Sequence, residues 1–469
     1  MQSVPDLRLI GASLLLVLAQ TAAAADLELD KATSSRLVRL PPGTELSMAG
    51  FPVGGGGNAT IRLRRANVYA RDAHIYAITA KGKQEIPHSD RIFLRGYSDD
   101  GKSRVALSLN PDGSFAEGNG IGPDGSFALH ASRDATGRRW LSAQSLESTL
   151  PTPQAFQASC GNEQLSINAP AVTPDLGTQL HLAVGGKGRA AQATQGYTQA
   201  TIAIDTDSLF MSRLFSNNVT SATNWIASMF NTMNIMYETD LNVQLLIGTT
   251  FLRTVSSTDP YTGLGQNTPS NTADLNLFGG YWRNNESSVP RSFAALLSGA
   301  ISSTSNSCSA AGIAWVDQYC QKGYGSGGTT YGSYSVNKVC TSINIDPNGA
   351  FNARIVGHEL GHNFGADHTH CTNINNGSSP ASTNTIDQCY NQESGNGCYA
   401  GATSCPASGP GAPAGTIMSY CNIKGCGSGQ NVLQFHPTQI DDVLLPRIAA
   451  NTPGCLVGND TIFRNGFEP

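Results

Sequence analysis

Three histidines and a glutamate stand within one eleven-residue segment, HELGHNFGADH, at residues 358–368. His358 and His362 are spaced i, i+4, so on a helix their imidazoles project from one face and can bind one metal ion. Gly365 can adopt the left-handed conformation that ends a helix, which lets the chain return His368 to the same ion. Glu359 is the residue type that takes a proton from an attacking water. The spacing predicts a catalytic zinc site with three histidine ligands and Glu359 as the general base.

The apolar residues around this segment indicate a helix. Val356, Leu360 and Phe364 recur at i, i+4 and i+8 and so form one stripe. At about 100° per residue this stripe lies on the side opposite His358 and His362. We therefore expect one face of the helix to pack into the protein while the other faces a cleft that holds the metal.

The segment HELGHNFGADH resembles the extended zinc signature HExxHxxGxxH of the metzincin metalloproteases. The sequence GTIMSYC at residues 415–421 resembles their methionine turn, which implies that Met418 forms an apolar floor under the metal. Residues 201–205 look like the first strand of a reprolysin-type (adamalysin-like, M12B-type) catalytic domain. Residues 312–316 resemble its edge strand beside the substrate cleft. The resemblance covers about residues 197–455 and implies a mixed twisted sheet with an active-site helix.

Two positions depart from the reprolysin pattern. Reprolysins usually carry an aspartate directly after the third histidine, where this chain has Thr369. A tyrosine two residues after the methionine is typical of astacins and serralysins, and Tyr420 stands there. By analogy Tyr420 is a candidate fifth zinc ligand or hydrogen-bond donor to the transition state. The alternative is a tyrosine that simply packs beside Cys421.

The resemblance implies a zinc-dependent endopeptidase with one catalytic Zn²⁺, acting on protein or peptide substrates. A secreted binding or adhesion protein on the same scaffold is the alternative, but such relatives usually lose the glutamate or a ligand and this chain keeps all of them. A zinc hydrolase of non-peptide amides is a third possibility. A structural Ca²⁺ cannot be derived from the sequence.

Eleven cysteines fit an oxidising compartment. Ten of them lie between Cys308 and Cys455 and can form five disulfides whose pairing the sequence does not determine. Cys160 stands alone in the N-terminal half, followed by a glycine. Metzincin precursors often carry such a cysteine as a switch that occupies the open zinc position and keeps the enzyme latent, which zinc–thiolate chemistry allows. The alternative is a disulfide to another chain or to a later cysteine.

The N-terminus has the features of a signal peptide. An apolar run at residues 9–19 follows Arg8, and four alanines at residues 22–25 offer a cleavage site. The run is too short to span a bilayer, which needs about 20 residues. Charged residues are 13% and the net charge is −5, so neither nucleic acid nor an anionic membrane is an implied partner. We expect a secreted monomer without stable membrane insertion.

The fold class expected is α+β/α/β, with a β-rich prodomain before the catalytic domain. The expected ranges are a signal peptide at 1–25, a prodomain at 26–196, a catalytic domain at 197–455 and a tail at 456–469. Alternation predicts strands at 60–64 and 103–109, and two PDG sequences predict turns. Later segments predict a helix from 224 to about 239, a strand at 242–251 and a helical segment at 292–302. The basic, glycine-rich residues 185–191 are a candidate processing site.

Overall fold

The computed structural model describes residues 26–152, 155–165, 196–301, 303–406, 415–421 and 432–458. The expected signal peptide, the candidate processing site at 185–191 and the tail after residue 458 lie outside these ranges. None of the helices in the described ranges has the length and apolar character needed to cross a membrane.

The described residues form eighteen strands and six α-helices. The strands are β1 (Leu27–Glu28), β2 (Glu45–Pro52), β3 (Asn58–Arg65), β4 (Ile75–Thr79), β5 (Gly82–Ile86), β6 (Ile92–Ser98), β7 (Arg104–Leu109), β8 (Phe115–Gly122), β9 (Gly125–Arg133), β10 (Arg139–Ser145), β11 (Phe156–Cys160), β12 (Thr198–Thr206), β13 (Val243–Arg253), β14 (Phe293–Ser298), β15 (Cys308–Ala314), β16 (Tyr324–Ser326), β17 (Thr329–Tyr331) and β18 (Tyr334–Lys338). The helices are α1 (Lys31–Val38), α2 (Ser208–Phe215), α3 (Val219–Leu241), α4 (Thr272–Asn285), α5 (Ala350–Asn363) and α6 (Leu445–Ala450).

The first sheet is antiparallel throughout, with the strand order β1-β10-β9-β8-β7-β6-β3-β2. The strand predicted at 60–64 is confirmed as part of β3, and the strand predicted at 103–109 is confirmed as β7, which begins at Arg104. The two PDG sequences lie at the connections on either side of β8. In β3, Ile61 and Leu63 are buried while their neighbours are more exposed, as alternation requires. The N-terminal region is therefore β-rich, as expected.

The second sheet is mixed, with the order β11-β15-β18-β14-β12-β13-β4-β5. The five adjacent strands from β15 to β13 come from residues after 196. The N-terminal region adds β4 and β5 at one edge and β11 at the other, and both β4 and β11 pair in parallel with their neighbours. Thus the N-terminal region both builds its own sheet and extends the second one on both sides.

The later half of the chain alternates helices and strands. The helix predicted at 224–239 is confirmed as part of α3, and the strand predicted at 242–251 is confirmed as β13, which begins one residue later at Val243. The helix predicted at 292–302 is wrong, because Phe293–Ser298 is strand β14. This run is buried along its whole length between the parallel strands β12 and β18. A fully buried parallel strand is apolar without alternation, so periodicity alone does not distinguish it from a buried helix.

Ion pairs with little exposure hold the first sheet against α3. Glu238 of α3 lies 2.6 Å from the guanidinium of Arg95 and 2.8 Å from that of Arg64. Asp240, on the same helix, pairs with Arg104 at 2.8 Å. Each arginine and each carboxylate here depends on the other, since a buried charge without a partner is costly. They join residues of the first sheet directly to the helix that supports the second.

Disulfides crosslink the region after residue 300. The bonds present are Cys308–Cys340, Cys320–Cys455, Cys371–Cys398 and Cys389–Cys421. Cys405 is disulfide-bonded as well. Across the described ranges, Cys160 is the only cysteine with a free thiol, and it is buried. This pattern agrees with the expectation that the later cysteines form disulfides and that Cys160 stands apart.

Candidate metal centre and active site

Helix α5 carries the first part of the site. It begins after Gly349, and Asp346 accepts hydrogen bonds from the amides of Phe351 at 3.1 Å and Asn352 at 2.9 Å, which caps the helix. The predicted stripe of Val356, Leu360 and Phe364 is fully buried. The helix ends at Asn363, and Gly365 follows at φ +102°. The predicted helix and its glycine turn are therefore confirmed.

The first two imidazoles are oriented by backbone carbonyls. His358 donates from Nδ1 to the carbonyl oxygen of Ile417 at 2.7 Å, and His362 donates from Nδ1 to that of Ala366 at 2.7 Å. Both Nε2 atoms are left facing one another, 3.1 Å apart. Burial, together with the charge of His368, lowers the pKa of His358 to about 3. The neutral imidazole is the form that binds a metal.

His368 is the third of the predicted histidine ligands. Its Nε2 is buried and has no hydrogen-bond partner among the described residues. The ligand atoms of His358, His362, His368 and Cys160 all lie within 4.8 Å of one another. Buried polar atoms are normally hydrogen-bonded, so an unpartnered imidazole nitrogen beside two others fits a metal position. The structure brings the three predicted ligands together, and their donor atoms suit zinc.

His368 is oriented by a carboxylate that the sequence analysis missed. Its Nδ1 donates to Glu393 Oε2 at 2.8 Å, and Nε2 of His370 donates to the same oxygen at 2.6 Å. Burial favours the protonated acid, but the charge of His368 and the two hydrogen bonds outweigh it and lower the pKa of Glu393. Metal-binding histidines commonly donate their second N–H to a carboxylate. The sequence between His368 and Met418 contains two acids, Asp387 and Glu393, and this is the signal that could have identified the partner of His368.

Asp387, the other acid of that segment, lies beside the residue that departs from the reprolysin pattern. The hydroxyl of Thr369 donates to the Asp387 carboxylate. The Thr369 amide also donates to the carbonyl oxygen of Met418, at 3.1 Å. Thus a carboxylate from a later loop reaches the position next to the third histidine, and Thr369 links that loop to the methionine turn.

Glu359 lies between the histidines and strand β15. It is 1% exposed, and burial raises its pKa to about 8. A Cβ added at Gly312 would lie 2.1 Å from Glu359 Oε1, so this position of β15 requires a glycine. The carboxylate thus sits directly against the strand that the sequence analysis placed beside the substrate cleft.

Met418 and Tyr420 lie close to the histidines, as the methionine-turn resemblance implies. Met418 is buried, and its sulfur would lie 2.6 Å from a Cβ added at Gly361 of α5. The Tyr420 ring is 4.4 Å from the His368 ring between centroids, and its hydroxyl donates to the carbonyl oxygen of Cys160 at 3.2 Å. Tyr420 is therefore in the site, with its hydroxyl turned to the N-terminal region.

Cys160 reaches the site at the end of β11. This strand pairs in parallel with β15, and Cys160 stands opposite Gly312 in the register. The thiol sulfur is 3.6 Å from His362 Nε2 and 3.7 Å from Glu359 Oε2. Asn162 then anchors the segment, because its side chain makes two 3.0 Å hydrogen bonds with the backbone of Ala314. The predicted site residues of both halves of the chain therefore meet at one place.

A buried helix with this histidine pair, a third histidine and a methionine turn defines a metallopeptidase site. A family model described as Metallo-peptidase family M12, reprolysin type, matches residues 197–433, just over half of the chain. The chain belongs to this family. Membership implies a metal ion and protein or peptide substrates.

Two solved structures show more distant likeness. The crystal structure of metalloproteinase-II from Bacteroides fragilis is 10% identical, with coverage of 71% of this chain and 84% of that one and a TM-score of 0.35. A structure of a chaperone–substrate complex is 12% identical over 38% of this chain and 28% of that one, with a TM-score of 0.24. At these TM-scores neither likeness defines the fold of this chain. No curated protein matches it.

Proposed function

We propose that this protein is a zinc-dependent endopeptidase that is secreted as a latent precursor. The observation that carries the proposal is the convergence of three imidazole Nε2 atoms beside the carboxylate of Glu359. Catalytic zinc sites use three protein ligands and leave one position open, and this donor set matches that pattern.

His358, His362 and His368 would hold the zinc. When bound, the ion would polarise the scissile carbonyl and lower the pKa of the attacking water. Glu359 accepts the proton of that water and delivers it to the leaving amine. Its buried position favours the protonated form, so the carboxyl can hold the proton between the two transfers. This chemistry needs no covalent intermediate with the protein.

Tyr420 is proposed to stabilise the transition state. Its hydroxyl lies next to the histidines and donates to a backbone oxygen of the N-terminal region. Once that region leaves, the same O–H can donate to the oxygen on which negative charge develops. Met418 supplies an apolar floor and takes no part in proton transfer.

Latency is proposed to come from β11 and Cys160. The thiol lies where a fourth ligand would bind, and thiolate is a strong zinc ligand. Strand β11 also covers β15, so a peptide could not pair with that edge while β11 is in place. We infer that residues 26–165 belong to a prodomain and that cleavage between it and residue 197 precedes activity. Residues 185–191 are the candidate cleavage site.

Secretion is proposed from the cysteines and the N-terminal sequence. Disulfides persist in oxidising compartments, and four of them between described residues crosslink the later region of the chain. The signal peptide proposed at residues 1–25 would direct it there.

Zinc content tests the proposed metal site. The purified protein is expected to carry one zinc per chain. H368A should lose it while its circular dichroism stays that of the wild type, because the disulfides and the core of α5 remain. A wild-type protein that binds no zinc, or an H368A protein that keeps it with unchanged affinity, would refute the assignment.

A further inference from the structure

We propose that Arg354 makes this site select substrates with an acidic side chain next to the scissile bond. The inference rests on the proposed endopeptidase function and names its substrate class. Neither the metal ligands nor Glu359 require such a preference.

A pocket adjoins the histidines on the side of β11. It is small while β11 is in place, with a cavity volume of about 30 Å³. Helix α5 forms one wall with Arg354, Ile355 and His358, and the methionine turn forms another with Ile417 and Tyr420. Residues of β11, from Phe156 to Cys160, line the remaining side. The pocket therefore opens toward substrate when β11 leaves.

Arg354 stands in this pocket with unused hydrogen-bonding capacity. It lies one turn before His358, so both project from the same face of α5. The residue is 7% exposed, and its Nε is buried without a hydrogen-bond partner among the described residues. A guanidinium offers a planar fork of donors that matches a carboxylate. The group suits an acidic ligand better than an amide or an amine.

In the latent chain that ligand comes from the N-terminal region. Glu147 Oε1 lies 2.6 Å from Arg354 Nη2. Glu147 is located just before β11, in the short 3₁₀ turn Leu146–Thr149. If β11 is released with its region, Glu147 leaves too, and the Arg354 guanidinium lines the opened pocket without that partner. A bound peptide covers the guanidinium again, and a covered charge without a partner is costly, so a peptide carboxylate is favoured in the place of Glu147.

Two other acids face Arg354, and neither replaces Glu147. Asp346 is close enough for the charge of Arg354 to act on its carboxylate. Its oxygens, however, already accept hydrogen bonds from the amides of Phe351 and Asn352 at the start of α5. Glu359 lies five residues further along the helix, a rise of about 7.5 Å. The remaining pocket wall includes Ile355 and Ile417, which suit the methylene groups of a glutamate or aspartate.

The test is the cleavage preference of the secreted, processed protein. A peptide library analysed by mass spectrometry should show enrichment of Asp and Glu at one position flanking the cut bonds. Matched peptides that differ only there should give about a tenfold higher kcat/KM for Glu than for Gln. R354Q should cut both alike, R354K should keep a smaller preference, and R354E should favour Lys.

Arg283 provides the matched control. It is an exposed arginine on α4, so R283Q makes the same change of charge away from the pocket. R283Q should keep the wild-type preference. Equal cleavage of the Glu and Gln peptides by the wild type, or a preference that survives R354Q, would overturn the inference while leaving the endopeptidase intact. A zinc-loaded wild type that cuts no peptide would overturn the proposed function and this inference with it.

Discussion

The two regions of the chain contribute different groups to one site. Residues after 196 supply three imidazoles, a buried carboxylate and the arginine of the adjoining pocket. Residues 26–165 supply one thiol and one carboxylate, Cys160 and Glu147, each of which meets a group of the other region. Yet both regions share the second sheet, because β4 and β11 pair with its strands. The two regions therefore differ in the groups that they supply to the site, but their strands do not lie in wholly separate sheets.

The shared sheet and ion pairs bear on the proposed activation by cleavage. The ion pairs of Glu238 with Arg64 and Arg95 join the regions through residues far from 166–195. Cutting the chain within 166–195 leaves these pairs and the β4–β13 and β11–β15 pairings intact. We therefore expect the N-terminal region to stay bound after that cut until it dissociates or is degraded.

The largest expected effect comes from Glu359, the carboxylate proposed as general base. E359Q should lower kcat/KM of the processed protein by about 10²–10⁴-fold, the range that general acid–base groups supply. Zinc content should remain at the wild-type level, since Glu359 is not a ligand. Steady-state kinetics beside metal analysis measures both quantities, and an E359Q protein with full activity would remove Glu359 from the mechanism.

Glu393, the carboxylate that accepts a hydrogen bond from His368, should have the next largest effect, on zinc affinity. E393Q should weaken zinc binding by about 10–100-fold, because loss of a hydrogen-bonded partner disturbs the orientation and basicity of the ligand. Competition with a chelator measures the Kd. E85Q is a matched control, since Glu85 pairs with His74 at 2.7 Å on the exposed surface. If E393Q and E85Q bind zinc equally well, Glu393 does not position His368.

Loss of the Cys160 thiol should raise peptidase activity, whereas the two preceding changes impair the site. C160A in the uncleaved chain should raise peptidase activity by about tenfold or more, as expected if roughly 1.4 kcal/mol of thiol–metal interaction is lost. Q157A, on the exposed side of β11, is the control and should stay latent. Activity assays on both uncleaved variants measure the difference. No gain in C160A would mean that the strand alone, and not the thiol, blocks the site.

Tyr420 should have the smallest effect of the four. Y420F removes one neutral hydrogen-bond donor, worth about 0.5–1.5 kcal/mol, so kcat should fall by roughly 2- to 13-fold with little change in KM. Y399F is the control, because the Tyr399 hydroxyl donates to a neighbouring carbonyl oxygen, that of Ala402, at 2.8 Å. A Y420F protein that is as active as Y399F would leave Tyr420 with a packing role.

The sequence predicted the parts of the site that depend on local spacing. The i, i+4 histidines, the apolar stripe of α5 and the turn at Gly365 all follow from helix geometry. The His368–Glu393 hydrogen bond and the Arg354–Glu147 ion pair were not predicted. Each contact joins residues that helix or strand spacing does not relate. The pairing of β11 with β15 was missed for the same reason. The error at 292–302 arose because a fully buried strand lacks the alternation that identifies exposed ones.

Cleavage of a generic protein substrate by the secreted, processed protein tests the central claim most directly. The assay is run with and without a zinc chelator, beside the E359A protein. The account predicts cleavage that the chelator abolishes, that added zinc restores and that E359A lacks. Cleavage that survives the chelator or E359A would contradict it. A protein that binds zinc stoichiometrically but cuts nothing, even without its N-terminal region, would instead favour a binding protein on this scaffold.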